Sequence, residues 1–310
     1  MTTNTAFAKS VSSNKLWLVF TLLTLVLWGV WGAFSGLAME NGVPETLVYC
    51  VWSVTMIPPA LIVLARNGWK LETSRKAIFY GMAVGLLGAG GQLILFKTLT
   101  SGPAYLVFPL IALSPVVTIA LSLALLGERT SIIGWIGIAL AIIAVPMLDY
   151  RPGGLQAFGA EPWFFLTLAV MLCWGVQAYF IKLGNEHVSA ESIFFYMMLS
   201  GLLLAPIAWF MTPAGIEANW GLNGAGNAFL VQSLNAFGAL FLVLAFRYGK
   251  AIVVSPLTNA GAPLATAVIS LVLLGVMPGS QKLFALGLAL IASVLLAIAP
   301  ESKTGESDEN

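Results

Sequence analysis

The chain has 310 residues, of which 59% are hydrophobic and only 9% carry a charge, and its mean hydropathy is +0.94. Soluble globular domains carry roughly 25% charged residues, so this composition excludes an ordinary soluble fold. The formal net charge of +1 provides no basic surface for a nucleic acid. Cys50 and Cys173 lie inside apolar runs, where we expect small buried hydrophobic residues and no disulfide or metal pair.

The first apolar run, Leu16 to Ala38, follows a short polar lead-in that ends at Lys15. It is longer than the roughly 7 to 15 residues of a signal-peptide core and lacks a convincing cleavage site, so we expect it to be retained. A helix needs about 20 apolar residues to cross a hydrocarbon layer about 30 Å thick. The sequence therefore predicts an all-α integral membrane protein with ten transmembrane helices. The predicted spans are 16–38, 46–65, 77–97, 104–126, 132–148, 163–183, 190–211, 226–246, 251–275 and 282–299.

Two segments of the chain are less regular. The eighth span is interrupted by Asn227, Gln232 and Asn235, so its limits are the least sharply defined. The acidic, polar tail from Glu301 to Asn310 is expected to be disordered.

The distribution of lysine and arginine predicts how the chain is oriented, because cytoplasmic loops carry an excess of these residues. With the N-terminus in the cytoplasm, eleven of the fourteen basic residues lie in inside segments. Only Lys97, Arg151 and Lys282 lie outside. We therefore expect both termini in the cytoplasm, in agreement with an even number of spans.

The two halves of the sequence resemble each other. Residues 27–30 (Leu-Trp-Gly-Val) correspond to residues 173–176 (Cys-Trp-Gly-Val) at an offset of 146, and residues 114–118 correspond to residues 262–266 at an offset of 148. Each repeat holds five predicted spans, and because five is odd, the second copy must cross the membrane in the opposite direction. The loop after the second span is basic and the loop after the seventh has no lysine or arginine, as opposite orientation requires.

These motifs carry a resemblance to a known family. With Trp-Gly pairs at 28–29 and 174–175, Ser-Pro at 114–115, Ala-Pro at 262–263 and the run Leu-Leu-Gly-Glu-Arg at 125–129, the sequence resembles the drug/metabolite transporter superfamily, in its ten-helix branch with two EamA-type domains. The likeness covers residues 16–299. The predicted domains are a cytoplasmic lead-in at 1–15, a first five-helix EamA-like repeat at 16–148, a periplasmic linker at 149–162, a second repeat at 163–299 and a cytoplasmic tail at 300–310.

One loop carboxylate is not repeated. The second copy reads Gly275-Val276 where the first reads Gly127-Glu128. We therefore expect Glu128 to be a solvated hairpin charge beside Arg129, with no catalytic or coupling role.

Inverted repeats place a substrate site near the middle of the bilayer, and the resemblance implies that spans 1, 3, 4, 6, 8 and 9 line it. Trp28, Trp31 and Ser35 share one face of the first span, and Trp174 and Gln177 are their counterparts on the sixth. A tryptophan in the middle of a span either lines a cavity or packs against other helices, and both alternatives remain open.

Amides at membrane depth are costly without a partner, which makes them informative. Gln92 follows a glycine-rich stretch on the third span, Asn235 lies on the eighth, and Asn259 follows Pro256 on the ninth. They either bind the solute or join helices. The candidate substrate-binding residues are Trp28, Trp31, Gln92, Trp174, Gln177, Asn235 and Asn259.

No aspartate or glutamate lies deep in a predicted span, and the sole histidine, His187, lies in a loop. A proton relay usually needs such groups in the membrane, so we expect facilitated or substrate-gradient-driven transport. We expect no catalytic constellation, metal or cofactor. Lys97, Lys182 and Arg247 lie at helix ends, where they are expected to extend to the lipid headgroups.

The resemblance implies a monomeric transporter of the cell inner (plasma) membrane that works by alternating access. Its expected solute is a small neutral or zwitterionic polar metabolite, such as an amino acid or a related compound, and the expected direction is export. An uptake permease for a sugar or nucleoside is the alternative. A membrane-embedded enzyme is a remote third possibility.

Overall fold

A computed structural model describes residues 15–99, 107, 111, 113–149, 162–274 and 279–298. Within these residues all regular structure is helical and no strand occurs, which confirms the all-α prediction for this part of the chain. The lead-in before residue 15, the linker between 149 and 162, the tail after 298 and most of the predicted fourth span before residue 113 lie outside the described residues.

The first half forms five labelled helices. They are α1 (Leu16–Phe34, with a further turn at Leu37–Glu40), α2 (Glu45–Arg66), α3 (Arg75–Leu99), α4 (Ser114–Leu126) and α5 (Ile132–Asp149). Helix α2 breaks after Thr55. Pro58 and Pro59 cause this break, since neither has the N–H that would bond to the carbonyl four residues earlier.

The second half also forms five labelled helices. They are α6 (Pro162–Asn185), α7 (Ala190–Met211), α8 (Leu222–Tyr248), α9 (Ala251–Leu274) and α10 (Ser280–Ile298). Ser189 caps α7 by accepting a hydrogen bond from the N–H of Ser192. Helix α8 continues through the amides that made the eighth span irregular in sequence.

Six helices in the described part of the chain are long and apolar enough to cross a membrane. They are Leu16–Glu40, Glu45–Arg66, Arg75–Leu95, Pro162–Asn185, Ala190–Met211 and Leu222–Tyr248. Shorter apolar stretches occur in α4, α5 and α10. The count of ten spans in two opposed sets goes beyond this observation and stays a prediction.

Helices of the two halves pack directly on each other, α1 along α8 and α9, and α6 along α3 and α4. Glycines permit the close approach: a Cβ added to Gly29 would overlap Ala265 of α9. A Cβ added to Gly175 would lie 2.5 Å from the Cβ of Val117 in α4. Small residues have this role wherever helices must approach closely in a bilayer.

Two threonine hydrogen bonds hold these contacts. Thr266 donates to the carbonyl of Gly29 over 3.1 Å, and Thr118 donates to the carbonyl of Gly175 over 3.0 Å. The glycines are 146 residues apart and the threonines 148, which are the offsets of the sequence repeat. The same contact therefore occurs once in each direction between the halves.

The expectation for Glu128 was wrong. This side chain is only 7% exposed, and its two carboxylate oxygens accept hydrogen bonds from the N–H groups of Ala251 (3.1 Å) and Ile252 (2.9 Å). These N–H groups begin α9, where they have no acceptor within the helix and the helix dipole favours a negative charge. The carboxylate is therefore a buried cap on a helix of the other half.

Candidate substrate-binding site

The predicted tryptophans of α1 contact α8. The indole N–H of Trp28 donates to the carbonyl oxygen of Asn235 over 3.2 Å. One turn earlier, Thr24 donates to the carbonyl of Gly238 over 3.2 Å. Gly238 is required at this crossing, because a Cβ there would overlap the indole of Trp28.

The side-chain amides of α8 are bonded to two further indoles. Trp31 donates to the Oε1 of Gln232 over 3.2 Å, and Trp52 of α2 donates to the Oδ1 of Asn235 over 2.8 Å. The structure thus brings together Trp28, Trp31 and Asn235, whose role in binding a solute stays a prediction. Trp52 was missed, although its position in the middle of the second span was the same signal that singled out Trp28.

Trp174 makes the corresponding contact on α6. Its indole N–H donates to the carbonyl of Gly88 in α3 over 3.3 Å, and a Cβ on Gly91 would lie 2.6 Å from the indole nitrogen. Trp28 and Trp174 are 146 residues apart, while their acceptors Gly88 and Asn235 are 147 apart. The two indole contacts therefore occupy equivalent places in the two halves.

Gln92 and Gln177 differ from the amides of α8 in their hydrogen bonding. Both are half-buried, and neither side chain exchanges a hydrogen bond with any residue the structure describes. The Gln177 amide lies directly over Gly88, where a Cβ would overlap its nitrogen. Gln92 follows Gly88 by one turn on the same face of α3. Two carboxamides, each with donors and an acceptor, are therefore available along the contact between α3 and α6.

Asn259 is neither bonded to an indole nor without a hydrogen-bond partner. Its Nδ2 donates to the carbonyl of Ser255, one turn earlier in α9, over 2.9 Å. Helix α9 passes Leu25 at Gly261 and passes Gly29 at Ala265, so Asn259 lies nearer the start of α1 than Trp28 does. No hydrogen bond within the described residues joins it to the tryptophans.

The surroundings of the site carry little charge. The acidic residues of the described helices lie at their ends, and no group of three or more potential metal ligands occurs within the described ranges. Cys173, next to Trp174, is a free thiol and half-buried. An arrangement of indole rings and neutral amides can stack against a flat group and hydrogen-bond a polar one.

Comparison with known proteins places the chain among transporters. The EamA-like transporter family matches it twice, over residues 15–148 and 161–298. Protein RarD of Streptomyces exfoliatus is 24% identical over 264 residues, which is 82% of this chain and 77% of that protein.

Two other similarities bear on the architecture. An uncharacterized protein of Methanocaldococcus jannaschii is 30% identical over 132 residues, which is 43% of this chain but 95% of that protein. That relative is therefore close to half the length of this chain. One solved crystal structure superposes with a TM-score of 0.74 and 16% identity, over 91% of this chain and 97% of the other. At this identity the likeness shows the fold alone.

Proposed function

Since the chain belongs to the EamA-like transporter family, we propose that it is a secondary transporter for a small neutral or zwitterionic polar metabolite, such as an amino acid or a related compound. It exports this solute across the inner membrane by alternating access. The family and the apolar helices identify a multi-pass membrane transporter. The solute, the direction and the mechanism are the steps proposed beyond that.

The proposed architecture is ten spans in two inverted five-helix repeats, with both termini in the cytoplasm. Three observations support it: the two family matches, the paired threonine contacts and the paired indole contacts. A pseudo-two-fold axis relating opposed halves explains why each contact recurs in the reverse direction. In such a fold the halves rock about a site near the middle of the bilayer.

The observation that best supports the solute class is the pair of amides, Gln92 and Gln177, which bond to no described residue and lie beside the indole of Trp174. A half-buried amide is costly without a partner, so a polar solute is a suitable occupant. The described helices carry their acidic residues at their ends and no charged residue within four positions of Gln92 or Gln177, which favours a solute without a net charge. The remaining predicted contacts, Trp28, Trp31, Asn235 and Asn259, complete the proposed lining.

Counterflow into proteoliposomes tests this function. Vesicles preloaded with one solute are given the same labelled solute from a panel of amino acids, sugars, nucleosides and organic anions. We expect accumulation of a neutral or zwitterionic amino acid or related compound, without a requirement for a pH gradient. Accumulation of anions alone, or strict dependence on protons, would contradict the proposed solute class or driving force. Accumulation of sugars or nucleosides would favour the uptake permease.

A further inference from the structure

We propose that Glu128 is a gate latch: its bond to the start of α9 holds the two halves together at one end of the molecule and must break when that end opens. In the predicted orientation this is the cytoplasmic end. The inference rests on the alternating access proposed above, since a latch has a function only if the halves move.

The geometry of Glu128 is that of a fixed and buried contact. The loop that carries it begins at Gly127, whose φ of 63° is in the left-handed region, and the N–H of Glu128 donates to the carbonyl of Ser122 over 3.2 Å. Both carboxylate oxygens are used, on Ala251 and Ile252. Hydrogen bonds from N–H groups to a carboxylate are among the stronger ones in proteins, particularly away from water.

Two lysines place positive charge near the Glu128 carboxylate. Lys250, which precedes α9, donates from Nζ to the carbonyl oxygen of Arg129, so the loop and the helix are joined a second time. Lys182 of α6 and Lys250 both lower the pKa of Glu128, against the larger effect of burial, which raises it. The latch therefore joins the α4–α5 loop to α9 in a region where α6 supplies a positive charge.

A second carboxylate makes a similar contact at the same end. Glu72, in the loop between α2 and α3, accepts a hydrogen bond from the N–H of Ser189 over 2.8 Å, where α7 begins. Its own N–H donates to the hydroxyl of Ser192, and Tyr196 donates to its carbonyl. Two helices of the second half thus begin on glutamates supplied by loops of the first half.

The repeat-related positions in the sequence do not reproduce the Glu128 contact. At an offset of 148, the counterpart of Glu128 is Val276 and the counterpart of Ala251 is Pro103. Valine supplies no carboxylate and proline no N–H. The repeat-related positions in the sequence therefore lack this carboxylate and one of its two N–H donors, so the Glu128 contact would favour the state in which its own end is closed.

Access to Cys173, which lies against Gly91 in the candidate site, tests the latch. In a Cys50→Ser background, a membrane-impermeant maleimide is applied to inside-out and right-side-out vesicles. Glu128→Ala leaves two buried donors without an acceptor while the gate is closed, and water satisfies them when it opens. We expect about tenfold faster labelling from the cytoplasmic side and slower labelling from outside.

The controls separate gating from folding. Glu128→Gln keeps one acceptor oxygen, but unlike a protonated carboxyl it turns an NH2 group, which cannot accept, towards one of the two N–H donors. It should therefore give a smaller change in the same direction, whereas Glu186→Ala, at an exposed glutamate in the α6–α7 turn, should change nothing. Hydrogen exchange at Ala251 and Ile252 should accelerate in Glu128→Ala. Faster exchange with unchanged labelling would make Glu128 a simple helix cap, and unchanged exchange would show that the bond is not formed. Either result overturns the latch. Failure of every solute in counterflow would instead overturn the proposed function.

Discussion

Three indole N–H groups in the candidate site donate to three different acceptors on α8. Trp28 bonds to a backbone carbonyl of α8, whereas Trp31 and Trp52 bond to the side-chain oxygens of Gln232 and Asn235. An amide oriented by an indole presents its remaining N–H groups in a defined direction. These tryptophans therefore prepare the α8 side of the site, while the amides on the α3–α6 side keep their full capacity for a solute.

Replacing Trp52 by phenylalanine tests this role, because it keeps an aromatic ring while removing the donor to Asn235 together with part of the packing volume of the indole. An interhelical hydrogen bond in a membrane protein contributes about 0.6 to 2 kcal/mol, so we expect a lower unfolding temperature and weaker solute binding. Thermal unfolding in nanodiscs and solute titration measure both. Trp69→Phe is the control, since Trp69 is 62% exposed in a loop. Equal effects of the two substitutions would contradict the role of Trp52.

Because Glu128 can bind a proton, the stability of the closed state in the proposed gate should depend on pH. The direction of this dependence follows from the burial of the carboxyl group. Burial raises the pKa of this carboxyl above its ordinary value of 4.5, against the opposing effects of the N–H groups of Ile252 and Ala251 and of the lysines. The closed state therefore binds a proton more tightly than an open state in which the carboxyl is solvated. As the pH falls through the raised pKa towards 4.5, the closed state gains stability.

Labelling of Cys173 at a series of pH values, equal on both sides of the vesicle, tests this sign. The ratio of external to cytoplasmic labelling cancels the thiol's own titration. We expect the ratio to rise on acidification in the parent protein and to be flat in Glu128→Ala. A ratio that falls on acidification would show that the proton opens the cytoplasmic end.

At the scale of helices, glycine positions decide which pairs can approach. Gly88 and Gly91 place α3 against Gln177 and Trp174, and Gly238 does the same for Trp28 on α8. The interface between halves is therefore built from large aromatic side chains inserted over missing Cβ atoms. Methyl groups added there would displace an indole from its carbonyl acceptor.

Gly91→Ala and Gly90→Ala form a matched pair on α3. A Cβ on Gly91 would lie 2.6 Å from the Nε1 of Trp174, whereas a Cβ on Gly90 would meet no atom within 4 Å. We expect Gly91→Ala to cost about 1 to 3 kcal/mol of stability through overpacking. Gly90→Ala should be neutral or stabilising by up to about 1 kcal/mol. Chemical unfolding measures the difference, and similar stabilities would contradict the packing described for Trp174.

Helix positions were accessible from sequence because a hydrophobic run of about 20 residues has few alternatives in a bilayer. The limits of α2, α3 and α7 lie within two residues of the predicted spans. Contacts between distant helices were not accessible: Trp52 and Asn235 are 183 residues apart, and Glu128 and Ala251 are 123 apart. Hydropathy could not show that a loop glutamate would be buried under the start of α9. Gln92 and Gln177 have no hydrogen-bond partner among the described residues, and this too depends on neighbouring helices that no local sequence pattern specifies.

At the scale of the whole molecule, the two halves are similar in contacts but different in chemistry. The α1–α8 side has three indoles bonded to α8, and the α3–α6 side has one indole and two amides that bond to no described residue. One end also carries the glutamate contacts to α7 and α9. In the proposed mechanism the two similar halves move against each other, and the differences between them distinguish the polar side of the candidate site and the end that carries Glu128.

Counterflow with Gln92→Ala and Gln177→Ala tests the central claim most directly, once the panel has supplied a transported solute. Each substitution removes one of these amides, and losing a hydrogen bond to a polar solute costs about 0.5 to 1.5 kcal/mol. We expect binding about three- to tenfold weaker in each variant, with normal folding and with no change in Asn223→Ala, whose side chain is exposed outside the site. Unchanged transport in both glutamine variants would contradict a solute site between α3 and α6.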